Sequence, residues 1–131
     1  MQKKYNFMII DDNHIDIFIA EKMIEATVES CEIFSFKTAK EALTFINEKE
    51  VSQTKTIMFV DINMPLVDGF KFMEDFEKLP EEKLKMYLPC FLTSSINEGD
   101  ISYAKNFKTI KQYINKPLSQ KLIQNLISTL E

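Results

Sequence analysis

Four apolar stretches of the chain end in side chains that could bind a metal ion or a phosphate. Asp11 and Asp12 follow residues 7–10, Asp61 follows residues 57–60, Thr93 follows residues 90–92, and Lys116 closely follows residues 110–114. If these stretches are strands of one sheet, the three carboxylates lie close together and repel one another. A hard divalent cation such as Mg²⁺ relieves this repulsion and attracts phosphate oxygens. The pattern therefore indicates a metal site that handles phosphate.

Asp61 is the strongest candidate for the reacting group. An apolar run ends abruptly at this acid, and Pro65 and the pair Asp68-Gly69 follow, as in a loop. A buried strand is expected to stop at a lone acid only where that acid faces a solvent-filled crevice. There the Asp61 carboxylate could attack phosphorus as a nucleophile. Lys116 and Thr93 would stabilise negative charge on the phosphoryl oxygens.

Each of these residues has a more ordinary explanation when it is taken alone. An Asp after a strand commonly caps the next helix, a Thr commonly belongs to a turn, and a Lys before a Pro is commonly solvated. The combination of acids after two strands, a hydroxyl after a third and an ammonium after a fourth is improbable as coincidence.

The elements that would position these groups alternate between strand and helix. The predicted strands are β1 (7–10), β2 (31–36), β3 (57–60), β4 (90–92) and β5 (110–114), and the predicted helices are α1 (13–27), α2 (38–47), α3 (70–79), α4 (97–107) and α5 (from 117 or 119 to 130). This alternation predicts an α/β fold with a parallel sheet and helices on both faces. Ligands of such sheets bind beyond the carboxyl ends of the strands, where the candidate residues stand.

Composition limits the class of protein. A length of 131 residues predicts a single domain, and a net charge of −4 with no Arg argues against nucleic-acid binding. Cys31 and Cys90 form no metal-binding pattern and are expected to be buried thiols. No apolar run approaches the roughly 18 residues of a membrane span, and no signal peptide is recognisable, so a cytoplasmic protein without membrane contact is expected.

Together these motifs carry a resemblance to a known family. Asp11-Asp12-Asn13, the run from Asp61 to Pro65 with Asp68-Gly69, Thr93-Ser94-Ser95 and Lys116-Pro117 resemble the receiver domains of two-component response regulators. The resemblance covers nearly all of residues 1–131, and it is closest in kind to stand-alone, chemotaxis-regulator-like receivers. It implies a flavodoxin-like (βα)5 three-layer sandwich with a five-stranded sheet of order 2-1-3-4-5.

The resemblance also implies a role for individual residues of the site. Asp61 would be the phosphoacceptor. Asp12 would bind Mg²⁺ directly and Asp11 chiefly through water, while Asn63 would supply its backbone carbonyl to the metal. Thr93 and Lys116 would contact the phosphoryl group, and Tyr113 would be the aromatic residue that turns inward as Thr93 moves.

The partners follow from the same resemblance. A histidine kinase or a histidine phosphotransfer protein would donate the phosphoryl group to Asp61. Phosphorylation would then switch the face formed by α4, β5 and α5, which an output protein would read. A homodimer through this face is also possible, with Tyr103, Phe107 or Tyr113 in contact. Such a chain catalyses its own phosphorylation and slow autodephosphorylation and is not a turnover enzyme.

Two other functions compete with a receiver. A Mg²⁺-dependent phosphohydrolase with an aspartyl-phosphate intermediate needs an acid two residues after its nucleophile, where this chain has Asn63. A binding module that keeps the fold without phosphorylation is disfavoured because all the expected groups are present. One departure from the receiver pattern is the segment 107–110, with Phe107 and Ile110 where small residues are usual. The connection from α3 to β4, with its charged segment 80–85, also looks longer than usual.

Overall fold

Five parallel strands form one sheet in the order β2-β1-β3-β4-β5, as predicted. The structure, a computed structural model, describes residues 4–64 and 68–131. The strands are β1 (Tyr5–Ile10), β2 (Ile33–Phe36), β3 (Lys55–Val60), β4 (Tyr87–Thr93) and β5 (Tyr113–Asn115). Each strand is followed by a helix, which gives the predicted flavodoxin-like arrangement. Within the described residues, no helix has the length and apolar character needed to cross a membrane.

Each of the five main helices begins at a polar side chain that accepts hydrogen bonds from backbone N–H groups of the first turn. They are α1 (His14–Thr27), α2 (Ala39–Glu48), α3 (Gly69–Phe76), α4 (Glu98–Ala104) and α5 (Gln120–Leu130). The capping side chains, in the same order, are those of Asn13, Thr38, Asp68, Asn97 and Ser119. A side-chain oxygen at this position satisfies a donor that has no partner inside the helix.

Apolar side chains pack on both faces of the sheet, because successive residues of a strand point to opposite faces. Met8, Met58 and Phe91 pack with α2, α3 and α4 on one face. On the other face, residues such as Phe59 and Cys90 pack with α1 and α5. The sheet is therefore the middle of three layers, and its central strands are buried on both sides.

Strand β5 and helix α4 are shorter than predicted. Helix α4 ends at Ala104, because the N–H groups of the next three residues bond to carbonyls three positions back and tighten the chain into a turn. The N–H of Ile110 bonds to the Phe107 carbonyl, so the chain is still turning where a strand was expected. The strand begins only at Tyr113, opposite Phe91.

The segment before β5 is held by aromatic packing. The ring centroid of Phe107 lies 5.9 Å from Phe70, 6.0 Å from Phe91 and 5.7 Å from Tyr103, and we call these four rings the aromatic cluster. Phe107 is only 8% exposed, so it fills the interior and offers little surface for the dimer contact expected of it. Tyr103 keeps 44% of its surface exposed.

The charged segment between α3 and β4 contains a single-turn helix, Glu81–Leu84. Its Lys83 ammonium donates to the Ile46 carbonyl at 2.9 Å, the Asn47 carbonyl at 3.0 Å, and also to the Lys49 carbonyl. These carbonyls lie at the end of α2. This charged segment therefore caps a neighbouring helix.

The two cysteines differ in burial. Cys90 is fully buried in β4, as predicted, and burial raises the pKa of its thiol to about 12. Cys31 is half-buried, because it precedes the edge strand β2, which begins at Ile33 and not at residue 31. Both thiols are free.

Candidate functional site

The carboxylates of Asp11 and Asp61 lie side by side at the carboxyl edge of the sheet. Strands β1 and β3 are neighbours, and their register sets Ile10 opposite Val60. Each acid is the next residue, and the N–H of Asp61 donates to the Ile10 carbonyl at 3.0 Å. Asp11 is 3% and Asp61 is 6% exposed, so two acids are buried next to each other.

Backbone amides hold one oxygen of each buried acid. The N–H of Asn13 donates to Asp11 Oδ1 at 3.0 Å, and the N–H of Asn63 donates to Asp61 Oδ1 at 3.2 Å. The carboxylates are thereby oriented by the loops that follow their strands. In each case Oδ2 is left to face the interior of the site.

The Lys116 ammonium lies among three carboxylates. Its Nζ is 2.8 Å from Asp11 Oδ2, 2.8 Å from Asp16 Oδ2 and 3.3 Å from Asp61 Oδ2. The Lys116 side chain is 14% exposed, and its backbone N–H donates to the Thr93 carbonyl at 2.9 Å. The peptide bond from Lys116 to Pro117 is cis.

The electrostatics of the site follow from burial and from this shared ammonium. Burial alone would lower the pKa of Lys116, but hydrogen bonds to Asp11 and Asp16 and the charges of Asp11 and Asp61 outweigh it, so the pKa lies above its ordinary value. Burial raises the pKa of Asp11, which hydrogen bonds from Lys116 and Asn13 offset only in part. Lys116 therefore stays charged, while Asp11 resists ionisation.

Three acids stand close enough together to share one cation. One carboxylate oxygen from each of Asp11, Asp12 and Asp61 lies within 4.8 Å of the others, and Asp12 is exposed. Oxygen ligands with access to water suit Mg²⁺, which binds few carboxylates and keeps several waters. The donor set of these residues therefore fits that ion. The metal contact expected from the Asn63 carbonyl stays a prediction.

Hydrogen bonds through Ser95, in the loop after β4, link Thr93 to β5. Thr93 is fully buried, and its Oγ1 accepts the N–H of Ser95 at 3.2 Å. The Ser95 carbonyl in turn accepts the hydroxyl of Tyr113 at 3.0 Å and the side-chain amide of Asn115 at 2.9 Å. Thr93 and Tyr113, which were expected to act together, are thus linked through one intermediate residue.

A glycine lets the loop that begins at Asp61 and helix α3 approach closely. A Cβ at Gly69 would lie 2.3 Å from the Asp61 carbonyl oxygen, closer than any real Cβ contact. The Gly69 N–H also donates to the Ile62 carbonyl at 3.0 Å. The pair Asp68-Gly69, which was expected in a loop, instead forms the N-cap and the first residue of α3. Only glycine fits there, because a Cβ would clash with the Asp61 backbone. Pro65, which was expected to shape the same loop, lies outside the described residues.

Sequence reasoning missed Asp16. This residue lies in the first turn of α1, and its carboxylate reaches Lys116 from the helix side of the site. Its position four residues after Asp12, at the start of the helix that leaves β1, was a signal that could have placed it at this edge. His14, the first residue of α1, is exposed.

Comparisons with known proteins agree with this geometry. A family model described as the response regulator receiver domain matches residues 7–128. Hybrid signal transduction histidine kinase L of Dictyostelium discoideum is 31% identical over 123 residues, which are 92% of this chain and 7% of that protein. Stress response regulator protein 1 of Debaryomyces hansenii is 30% identical over 67 residues, which are 51% of this chain and 26% of that protein. The chain spans a small part of the length of these curated relatives.

Solved structures with the same architecture cover nearly the whole chain. A response regulator receiver protein from Dyadobacter fermentans DSM 18053 has a TM-score of 0.87 at 26% identity and covers 95% of this chain and 96% of its own. A two-component response regulator from Cytophaga hutchinsonii has a TM-score of 0.87 at 26% identity and covers 98% of both chains. The chain belongs to the family of response regulator receiver domains.

Proposed function

We propose that residues 1–131 act as one phospho-accepting receiver domain, with Asp61 as the phosphoacceptor. The observation that carries this proposal is the position of Asp61 Oδ2, 3.3 Å from the Lys116 ammonium and beside Asp11 and Asp12. A carboxylate next to a fixed cation and two further acids is suited to receive a phosphoryl group. Receiver domains are signalling domains, and this chain shares that role with its family.

The transfer step uses the Asp61 carboxylate as nucleophile. A bond forms between a carboxylate oxygen and phosphorus while the bond from phosphorus to the donor's imidazole nitrogen breaks. That nitrogen leaves with the electron pair and takes up a proton from water. Lys116 donates to a phosphoryl oxygen, and the buried Thr93 hydroxyl approaches another. The donor would be a histidine kinase or a histidine phosphotransfer protein.

Asp11, Asp12 and Asp61, with the Asn63 carbonyl, would hold Mg²⁺. When bound, the ion would reduce the repulsion among the three acids and attract the phosphoryl oxygens. The protein's own part is to keep the acids together through the register of β1 and β3 and the backbone amides of Asn13 and Asn63.

The signal would leave the site through the loop after β4. Movement of Thr93 toward the phosphoryl group would pull on Ser95, whose N–H and carbonyl bond to Thr93 and Tyr113. Tyr113 would then turn inward and change the face formed by α4, β5 and α5. An output protein, or a second copy of the chain, would bind that face. We expect this to take place in the cytoplasm.

The test is phosphorylation by a small donor. The protein is incubated with acetyl phosphate and Mg²⁺, and its intact mass is measured. We expect a phosphoryl adduct on the wild type and none on Asp61→Asn. Asp68→Asn is the matched control, because Asp68 is an exposed helix cap near the site, and an amide oxygen can still accept the Lys71 N–H.

Two results would contradict the proposal. One is a wild-type protein that gains no adduct at any Mg²⁺ concentration. The other is an Asp61→Asn variant that gains as much adduct as the wild type and the Asp68→Asn control. Fast multiple turnover of a phosphate ester would instead favour the phosphohydrolase.

A further inference from the structure

Asp16 takes part of the Lys116 charge without belonging to the group of three acids. Its Oδ2 lies 2.8 Å from Lys116 Nζ, as close as Asp11 and closer than Asp61. The Asp16 side chain is 33% exposed, whereas those of Asp11 and Asp61 are 4% and 7% exposed. Asp16 therefore holds the ammonium from the solvent side of the site.

An ammonium has three donors, and here each of the three faces a carboxylate. A phosphoryl group on Asp61 would need one of these donors, so one existing contact must weaken. Asp11 is deeply buried, and its Oδ1 is also held by the Asn13 N–H. The contact that can yield is the half-exposed Asp16, which competes with the incoming oxygen for Lys116.

Space beside the pair permits such a change. Asp16 and Lys116 line a cavity of about 270 Å³ together with Ile19, Ser94 and Leu118. Open space therefore adjoins the Asp16 carboxylate on the side where it meets Lys116. Its negative charge nevertheless stays near the phosphoryl group and repels it.

We propose that Asp16 is a positioning residue that competes with a phosphoryl group on Asp61 for the ammonium of Lys116 and so weakens the protein's hold on that group. The inference rests on the proposed function of Asp61. Asp16 would then help to determine how firmly the phosphoryl group is held. The residues at the strand ends do not by themselves predict that property.

A purely structural role for Asp16 makes a different prediction. The residue lies in the first turn of α1, where its N–H bonds to the Asn13 cap at 3.1 Å and an acid interacts favourably with the helix dipole. Loss of that role would lower the stability of α1 and leave ligand affinity unchanged or weaker. Competition for Lys116 instead makes affinity for a phosphoryl group stronger when the charge is removed.

The test measures binding of beryllofluoride, a phosphoryl mimic, by titration calorimetry at saturating Mg²⁺. We expect Asp16→Asn to bind it about fivefold more tightly than the wild type, and the gain to shrink as salt is added. Asp16→Glu keeps the carboxylate and should stay near the wild-type affinity. Glu25→Gln removes the same charge from the exposed face of α1, where Glu25 pairs with Lys22, and should leave the affinity unchanged.

Each other outcome overturns a definite statement. Equal or weaker binding by Asp16→Asn, with wild-type binding intact, overturns the competition and leaves the proposed function standing. An equal gain in Glu25→Gln also overturns it, because the effect would then come from net charge alone. Absence of beryllofluoride binding by the wild type overturns the proposed function, and this inference with it.

Discussion

Asp11 carries a charge that its surroundings make unfavourable. Burial raises the pKa of this carboxyl, and the charge of Asp61 adds to the increase, while hydrogen bonds from Lys116 and Asn13 lower it only in part. A group whose pKa is higher in the folded than in the unfolded protein destabilises the fold once the pH exceeds both values. At neutral pH the ionised Asp11 carboxyl therefore costs folding free energy.

We predict that Asp11→Asn stabilises the metal-free protein. The amide has the same shape and can still accept the Asn13 N–H, and it removes the penalised charge. The free energy of unfolding at pH 7, measured with urea in the absence of Mg²⁺, should rise beyond the scatter of about 0.5 kcal/mol that neutral substitutions show. The gain should fade on acidification, as Asp11 of the wild type becomes protonated.

Asp12→Asn is the control for that measurement, because Asp12 belongs to the same three acids and is exposed. Its substitution should change the free energy of unfolding by less than about 0.5 kcal/mol. A loss of stability in Asp11→Asn would mean that the ion pair with Lys116 outweighs the burial of the acid.

Side chains cap both ends of α2 and the start of α4. Thr38 and Asn97 cap α2 and α4 by accepting backbone N–H groups that lie at most three residues further along the chain. The other end of α2 depends on Lys83, which is 37 residues away from Ile46 and 36 from Asn47. That cap could not be predicted, because it exists only when the single-turn helix packs against α2.

We predict that Lys83→Met loosens the end of α2 and leaves phosphorylation intact. The methionine keeps much of the side-chain length but cannot donate to the carbonyls of Ile46 and Asn47. The free energy of unfolding should fall by about 1 kcal/mol in urea titrations. Lys85→Met, at an exposed position two residues later, should have no measurable effect, and an equal loss in both variants would contradict the capping role.

The aromatic cluster connects the start of α3, next to Asp61, with α4. Phe70 follows Gly69, whose backbone touches the Asp61 carbonyl, and its ring contacts Phe91, Tyr103 and Phe107. Phe107 comes from the segment after α4 and closes this packing. A series of ring contacts therefore joins the start of α3 to the face proposed for output.

We predict that Phe107→Ala costs about 3 kcal/mol of unfolding free energy, because it removes a buried ring and leaves a cavity. Urea titration gives this value, and the Tyr103 resonances in NMR spectra should broaden or shift as α4 loosens. Phe18→Ala is the control, since Phe18 lies on α1 with 56% of its surface exposed. A small effect at Phe107, similar to that of Phe18, would mean that the cluster re-packs around the lost ring.

The predictable part of the site consists of the residues that come at the end of an apolar run, because the run itself predicts where the strand ends. Asp11, Asp61 and Thr93 follow apolar runs, so their convergence required only the parallel sheet. Asp16 and Lys116 are 100 residues apart, and their contact depends on how α1 leans over the loop after β5. The late start of β5 likewise depends on tertiary contacts, because Phe107 packs inward and prolongs the turn after α4.

The pairing of β3 on both sides predicts how fast different parts of the molecule exchange their amide hydrogens. Strand β3 pairs along six residues with β1 and five with β4, so backbone hydrogen bonds protect it on both sides, whereas β5 pairs along three residues on one side. Amide hydrogens of β3 should exchange with solvent only on global unfolding, and those of β5 through local opening. Asp61, the proposed acceptor, thus follows a strand that should exchange slowly, whereas the face proposed for output includes a strand that should open easily. A chemical change at a rigid point would then be read where the fold opens with least cost.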